Sequence, residues 1–229
     1  MQIDVWSDLV CPFCYIGKRH LETAIAELGV QDQVTIRWHS FELDPQADQE
    51  AKPVIETLMA KYRMSREQTL VMMQRVIDMG EAAGLNLKLE SALRVNTLMP
   101  HRLLHLAARY HLQDASVERL MRAYFCEGEN IGNPETLERL LDEIGLDQNA
   151  VRAALDSEAY LEQVRADQRQ AHELGVTGVP YFLIDHQVAI SGAQPVHVLS
   201  EALARCLPDA VAPLEQTGDP ESQSVSPVG

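Results

Sequence analysis

The chain has 229 residues, 46% of them hydrophobic, enough for one well-cored domain or one domain carrying a large insertion. Its 34 acidic against 19 basic side chains give a net charge of -15, which sets nucleic acid and anionic membrane aside as partners, because phosphate binding needs the opposite sign. The N-terminus lacks a basic segment followed by an apolar core and a small-residue cleavage site, and no run approaches the ~20 apolar residues of a membrane span, so a cytoplasmic protein is expected.

Ile3 and Val5 alternate with polar neighbours and begin an apolar run to Leu9 that reads as a strand. A helix follows from Ile16, with Leu21, Ala24, Ile25 and Leu28 at i, i+3, i+4 and i+7, and Gly29 closing it. Val34, Ile36 and Trp38 alternate again as a second strand with one buried face. At the seam between the first strand and the helix stands Cys11-Pro12-Phe13-Cys14. A C-x-x-C pair at the first turn of a helix meets unpaired N–H groups and the helix dipole, which favour a thiolate. Cys11, the outer sulfur, is expected to attack and Cys14 to resolve the mixed disulfide, with no metal or organic cofactor required. Pro12 suits the fixed φ of a first helical turn. As half of a zinc site the pair would need a second close pair, whereas Cys126 and Cys206 stand alone and far apart, so redox chemistry is preferred and no metal is expected. In a reducing compartment a C-x-x-C pair also reads as catalytic rather than structural.

From about Pro45 to Gly175 the period is helical almost throughout. Ser65 with Gln68 makes a capping box, and Asn133-Pro134 opens a helix whose stripe is Leu137, Leu140, Leu141 and Ile144 and which Gly145 ends. Val117, Leu120, Met121, Tyr124 and Phe125 form another stripe, and Leu70, Met73, Val76 and Ile77 a third. Met72, Met73 and Met79 read as core filler rather than a ligand-binding surface. His101 and His105 share a helical face with Arg109, but with no third ligand in view, capping or packing is preferred over metal. Cys126 and Cys206 are expected to be inert buried thiols. Strand signals return only at Pro180, with Tyr181 to Ile184, a turn at Asp185-His186-Gln187, and Val188 to Ile190 as a β-hairpin. A last helix runs from about Pro195 to Cys206, and the composition of 208–229 predicts a disordered tail.

The order β-α-β, a helical block, then β-β-α predicts an α/β thioredoxin-like fold with a large all-helical insertion: 1–44 and 175–207 as the two parts of the thioredoxin-like domain, 45–174 as the insertion. Three stretches make the likeness specific: Ser7 through Gly17 around the C-x-x-C, Arg94-Val95-Asn96-Thr97 with His101-Arg102-Leu103, and Gly175 to Phe182 continuing to Ser191-Gly192-Ala193-Gln194. In these the chain resembles the DsbA-like thioredoxin superfamily, and within it the FrnE-type cytosolic oxidoreductases related to 2-hydroxychromene-2-carboxylate isomerases. The resemblance implies thiol-disulfide exchange with protein or low-molecular-weight thiols and disulfides, glutathione among them. It also implies a cis peptide between Val179 and Pro180, although trans proline is the default from sequence alone. The Val179 backbone is then expected to pair with substrate while Pro180 keeps a backbone N–H from the sulfurs, with Pro12 and Phe13 tuning the redox centre. By the same analogy His101 and Arg102 face the active-site cleft. Two departures stand out. Val5 occupies the place of the buried acid of thioredoxins, and the flanking Asp4 and Asp8 are read as surface acids; Pro100 is read as the start of a helix. The alternative activity is a glutathione-dependent isomerase or transferase of small aromatic molecules, the helical insert roofing a pocket. A third class is a holdase that grips unfolded chains in the cleft.

Overall fold

The computed structural model describes residues 1–48 and 51–207, so the expected tail at 208–229 lies outside the described residues. Strand β1 (Gln2–Ser7) runs into helix α1 (Pro12–Leu28), which crosses over to strand β2 (Thr35–Ser40), parallel to β1. Parallel neighbours cannot be joined by a tight turn, and the 17 residues of α1 supply the crossover. Gly29 ends α1 at φ 65, its N–H bonded to the Ala26 and Ile25 carbonyls. Strand β5 (Tyr181–Ile184) lies antiparallel on the other side of β1, and β6 (Val188–Ser191) pairs with β5, giving the sheet order β2-β1-β5-β6. Asp185 and His186 take φ 44 and 56 at the hairpin turn, and α9 (Val196–Cys206) returns to pack on α1. This is a thioredoxin-like α/β fold, and the chain between β2 and β5 is its helical insertion.

In that insertion β3 (Lys52–Pro53) leads into α2 (Val54–Tyr62) and α3 (Arg66–Ala82). Then β4 (Leu93–Arg94) precedes α4 (Leu98–Ala108), α5 (Gln113–Arg122), α6 (Pro134–Asp142), α7 (Gln148–Leu155) and α8 (Leu161–Glu173). The Ser65 capping box and the Asn133 N-cap with Pro134 are both present. Three details depart from the sequence reading. Strand structure does not wait for Pro180, because β3 and β4 pair antiparallel; at two residues each they are too short for alternation to register. Helix α4 begins at Leu98, so Pro100 sits within its first turn, where its missing N–H costs nothing, rather than starting it. A π-helical turn at Ala123–Glu127 follows α5 and stops at Gly128, φ 76.

Side chains alternate along β1, and both faces of the sheet are covered. Ile3 and Val5 face the main core with Ile16, Leu21, Trp38, Phe182 and Leu199. Trp6 faces a second apolar cluster with Ala171, Val176 and Leu183, under α8. On that second side the Trp6 ring stacks on His39 at 4.4 Å between centroids, and its Nε1 donates to the Asp167 carbonyl at 3.1 Å. The insertion is also tied to α1 by charge: buried Lys18 lies 3.6 Å from Asp114 and 3.3 Å from Glu118, and the Tyr15 hydroxyl donates to Glu118 at 2.9 Å.

Candidate active site

After β1, the chain turns at Asp8, whose carbonyl accepts the Cys11 N–H at 3.2 Å. Cys11 is the N-cap of α1, extended at φ -92 and ψ 112, with Pro12 in the first helical turn as expected. The Cys14 N–H bonds the Cys11 carbonyl at 3.0 Å, which sets the second cysteine one turn further in. Both are free thiols and both are buried, Cys11 at 4% exposure and Cys14 at 1%. Burial pushes the Cys14 thiol well above its ordinary value, the Cys11 sulfur adds to this, and the Ser7 side chain and Asp8 backbone oppose it.

The loop before β5 closes over this turn. The Val179-Pro180 peptide is cis, and the Cys11 thiol donates toward the Val179 carbonyl at 3.7 Å. The approach depends on Gly17, since a Cβ there would sit 2.9 Å from Pro180 Cγ and 3.2 Å from Phe182 Cζ. Cys11, Cys14, Pro12, Val179 and Pro180 are thus brought to one place. Phe13, 39% exposed, stands beside them.

Cys11 opens onto a cavity of about 540 Å³ between the thioredoxin-like part and the insertion. Phe13, Leu58, Met72, Met73, Tyr124 and Phe125 line it, and among the described residues no charged side chain does. The π-helical turn supplies Tyr124 and Phe125. The reading of the methionines as core filler holds for Met73, which is buried in the core where it also edges the cavity; it is corrected for Met72, half-buried in the cavity wall, and for Met79, which is exposed.

The polar residues depart furthest from expectation. Asp4 and Asp8 are not surface acids, being 2% and 1% exposed. Asp4 is buried because α8 covers the polar side of β1, where it accepts from His39 Nε2 at 2.7 Å. Asp8 is buried because the insertion closes over the loop: its Oδ2 accepts the Leu43 N–H at 2.8 Å and its Oδ1 lies 3.3 Å from His101 Nε2. His101 and His105 do pack rather than pair, reaching different acids. His105 Nε2 is 3.1 Å from Asp167 Oδ2, and His39 Nδ1 bonds Asp167 Oδ1 at 2.8 Å. Arg102 turns away from the cleft to the carbonyls of Ala154, in the last turn of α7, and of Ser157 and Ala159 just after it. Cys126 and Cys206 are half-buried rather than buried, each with its thiol pushed up chiefly by burial. Among the described residues no group of three or more His, Cys, Asp and Glu side chains is placed to hold a metal ion, and no helix is long and apolar enough to cross a membrane. Sequence reasoning missed Asp8 with His101. Their presence in two of the stretches that carried the family likeness was the available signal.

A cysteine pair at the first turn of α1, under a cis-proline loop, defines the thioredoxin-fold class of protein. Residues 2–204 match the DSBA-like thioredoxin domain, and the chain belongs to that family. It is 30% identical over 206 residues to the uncharacterized protein YwbO of Bacillus subtilis (strain 168), covering 89% of this chain and 96% of that protein. Among solved structures it is similar to a probable DsbA oxidoreductase from Streptomyces coelicolor, with 36% identity, TM-score 0.87 and 99% of each chain covered. It shares its fold with a 2-hydroxychromene-2-carboxylate isomerase at 19% identity and TM-score 0.68, over 90% of this chain and 96% of that one.

Proposed function

We propose that the chain is a protein thiol-disulfide oxidoreductase, of the FrnE type and cytoplasmic, with Cys11 as nucleophile and Cys14 as resolving thiol. One observation carries the reading: the Cys11 sulfur lies at the helix N-cap, on the wall of an open cavity and beside the Val179 carbonyl, with Cys14 one turn behind it. A partner disulfide entering the cavity meets Cys11 first. Its thiolate attacks one partner sulfur, the other leaves as a thiolate, and Cys14 then displaces the first from Cys11. Val179 offers backbone to an extended partner, and Pro180 brings no N–H to compete for the sulfurs. Pro12 holds the first turn and Phe13 replaces a polar neighbour with an apolar one, which suits an intermediate potential and exchange with glutathione. No cofactor enters this chemistry. In this reading 1–44 and 175–207 are the part that carries Cys11, Cys14 and the cis-proline loop, and 45–174 is the part that supplies most of the cavity wall.

The apolar cavity favours one second reading, a glutathione-dependent isomerase or transferase of small aromatic molecules. One experiment separates the two. The Cys14→Ser protein, incubated with a disulfide-bearing unfolded polypeptide and with glutathione disulfide, is expected to accumulate a mixed disulfide with the polypeptide through Cys11, seen by non-reducing mass analysis. Adducts with glutathione alone would favour the isomerase reading, and no adduct at Cys11 would rule out both.

A further inference from the structure

The cavity at Cys11 is apolar, but one stretch of its rim is charged. Tyr62, at the end of α2, lines the cavity and is 51% exposed, and the Lys61 ammonium lies 5.6 Å from the centre of its ring. Met72 in α3 lines both the cavity and a shallow depression to which Arg75 contributes. Arg63 and Arg66 flank the turn between the two helices. From residue 61 to residue 75 four basic side chains thus stand against one acid, Glu67, in a chain whose net charge is -15. All four are exposed, and among the described residues none of them forms an ion pair. Elsewhere cations are neutralised where they stand, as Lys18 is by Glu118, Arg94 by Asp44 and Arg119 by Glu127 and Glu143. Arg66 is also the first residue of α3, where the helix dipole disfavours a cation, so helix stability does not account for its place.

We propose that the α2–α3 hairpin selects the partner: an acidic polypeptide that puts an apolar side chain into the cavity and carboxylates on Lys61, Arg63, Arg66 and Arg75 while its cysteine meets Cys11. The proposal deepens the oxidoreductase reading and rests on the role given above to Cys11. Charge complementarity points to carboxylates, because the acidic excess of the rest of the chain repels them and this rim attracts them. Three of the four cations are guanidinium groups, whose paired N–H donors match a carboxylate. A cavity of about 540 Å³ is about 8 Å across and an extended chain advances about 3.3 Å per residue, so carboxylates two to four residues from the partner cysteine reach the rim. A polypeptide is favoured over a lipid surface because the rim is continuous with the wall that holds Cys11, and a lipid brings no sulfur to it.

The test uses the full chain, reduced, and three synthetic peptides that carry a cysteine as its mixed disulfide with 2-thiopyridine, a phenylalanine beside it, and glutamate, glutamine or lysine two to four residues away on both sides. The Cys11 thiolate attacks the peptide sulfur, the bond to the thiopyridine sulfur breaks, and thiopyridine leaves with the electron pair and takes a proton from water. Stopped-flow absorbance follows its release, with the Cys11→Ser protein as blank. The expected order is glutamate, then glutamine, then lysine, with about 30-fold between the extremes at low salt, within the span of electrostatic steering. In about 0.5 M salt the three should fall within about 3-fold of one another. In the fourfold variant Lys61→Gln, Arg63→Asn, Arg66→Gln, Arg75→Gln the order should reverse, since the acidic remainder of the chain then favours the lysine peptide; asparagine is chosen at 63 because it tolerates the left-handed φ of 53 there. If that variant does not fold, the salt series in the parent carries the test. A parent that prefers the lysine peptide, as net charge alone demands, or a variant slower with all three but unchanged in order, overturns the proposal. Equal rates in the parent overturn it too, and binding to phosphatidylserine vesicles or self-association that the variant loses would then make a lipid surface or a second copy the occupant. No thiopyridine release from any peptide overturns instead the reading of Cys11.

Discussion

Replacing Cys11 by serine is expected to reduce disulfide exchange to the uncatalysed rate while leaving the fold intact. The two effects separate because of where the residue sits. Serine is among the preferred N-cap residues, and at the head of α1 its hydroxyl can accept a helix N–H that the thiol leaves unbonded, so thermal stability should stay near the parent's. Chemically the exchange is total, since a hydroxyl forms no bond equivalent to a disulfide and Cys14 is too deeply buried to meet a partner in its place. Reduction of a peptide disulfide in a glutathione buffer, measured beside a thermal melt, checks both. Turnover surviving in a folded Cys11→Ser protein would move the chemistry away from the N-cap.

The second large effect falls on stability. Asp167→Ala is expected to destabilise the chain by about 3–5 kcal/mol, the range for removing one partner of a buried charged pair. Against a typical domain stability of about 5–15 kcal/mol this is a large fraction. Asp167 takes the His39 Nδ1 bond at 2.8 Å, the Ser40 N–H at 2.7 Å and the approach of half-buried His105, so its loss leaves the buried His39 Nδ1 and Ser40 N–H without that partner between β2 and α8. Burial alone would raise the Asp167 carboxyl, but His105, His39 and Ser40 outweigh it and hold the group far below the usual carboxylate range. A depressed folded value contributes stability that is present above the unfolded value of about 3.9 and is lost as pH falls below it. Urea unfolding of parent and variant across pH 3 to 7 should therefore show the full difference from about pH 5 upward and a shrinking one below about pH 4. A difference that does not vary with pH would mean that packing, not charge, sets the effect.

The elements that announced themselves in the sequence were those with local signals: the α1 stripe ending in Gly29, the Ser65 box, the Asn133-Pro134 start and the hairpin after Pro180. The cysteine pair and the cis-proline loop, over 160 residues apart in sequence, were brought together by family likeness rather than by periodicity, because no local pattern reports a long-range meeting. What escaped has a common cause. Alternation in β1 was taken to mean one buried face and one wet one, whereas α8 and the insertion cover the polar side as well, so that Asp4, Asp8 and His39 are interior. Met72 escaped in the opposite way: its apolar character was legible, but that does not say whether a side chain meets another helix or a cavity. Arg102 was expected to face the cleft and does not, because its acceptors, carbonyls at and just beyond the end of α7, lie more than 50 residues away in sequence.

The central claim is that Cys11 and Cys14 exchange two electrons as a unit, and a redox titration tests it most directly. The full chain is equilibrated across ratios of reduced to oxidised glutathione, quenched, alkylated, and each of its four cysteines quantified by peptide mass spectrometry. Cys11 and Cys14 should lose alkylation together, at one midpoint and with a two-electron dependence, while Cys126 and Cys206 remain alkylated throughout. Separate midpoints for Cys11 and Cys14, or a disulfide from either of them to Cys126 or Cys206, would contradict the account.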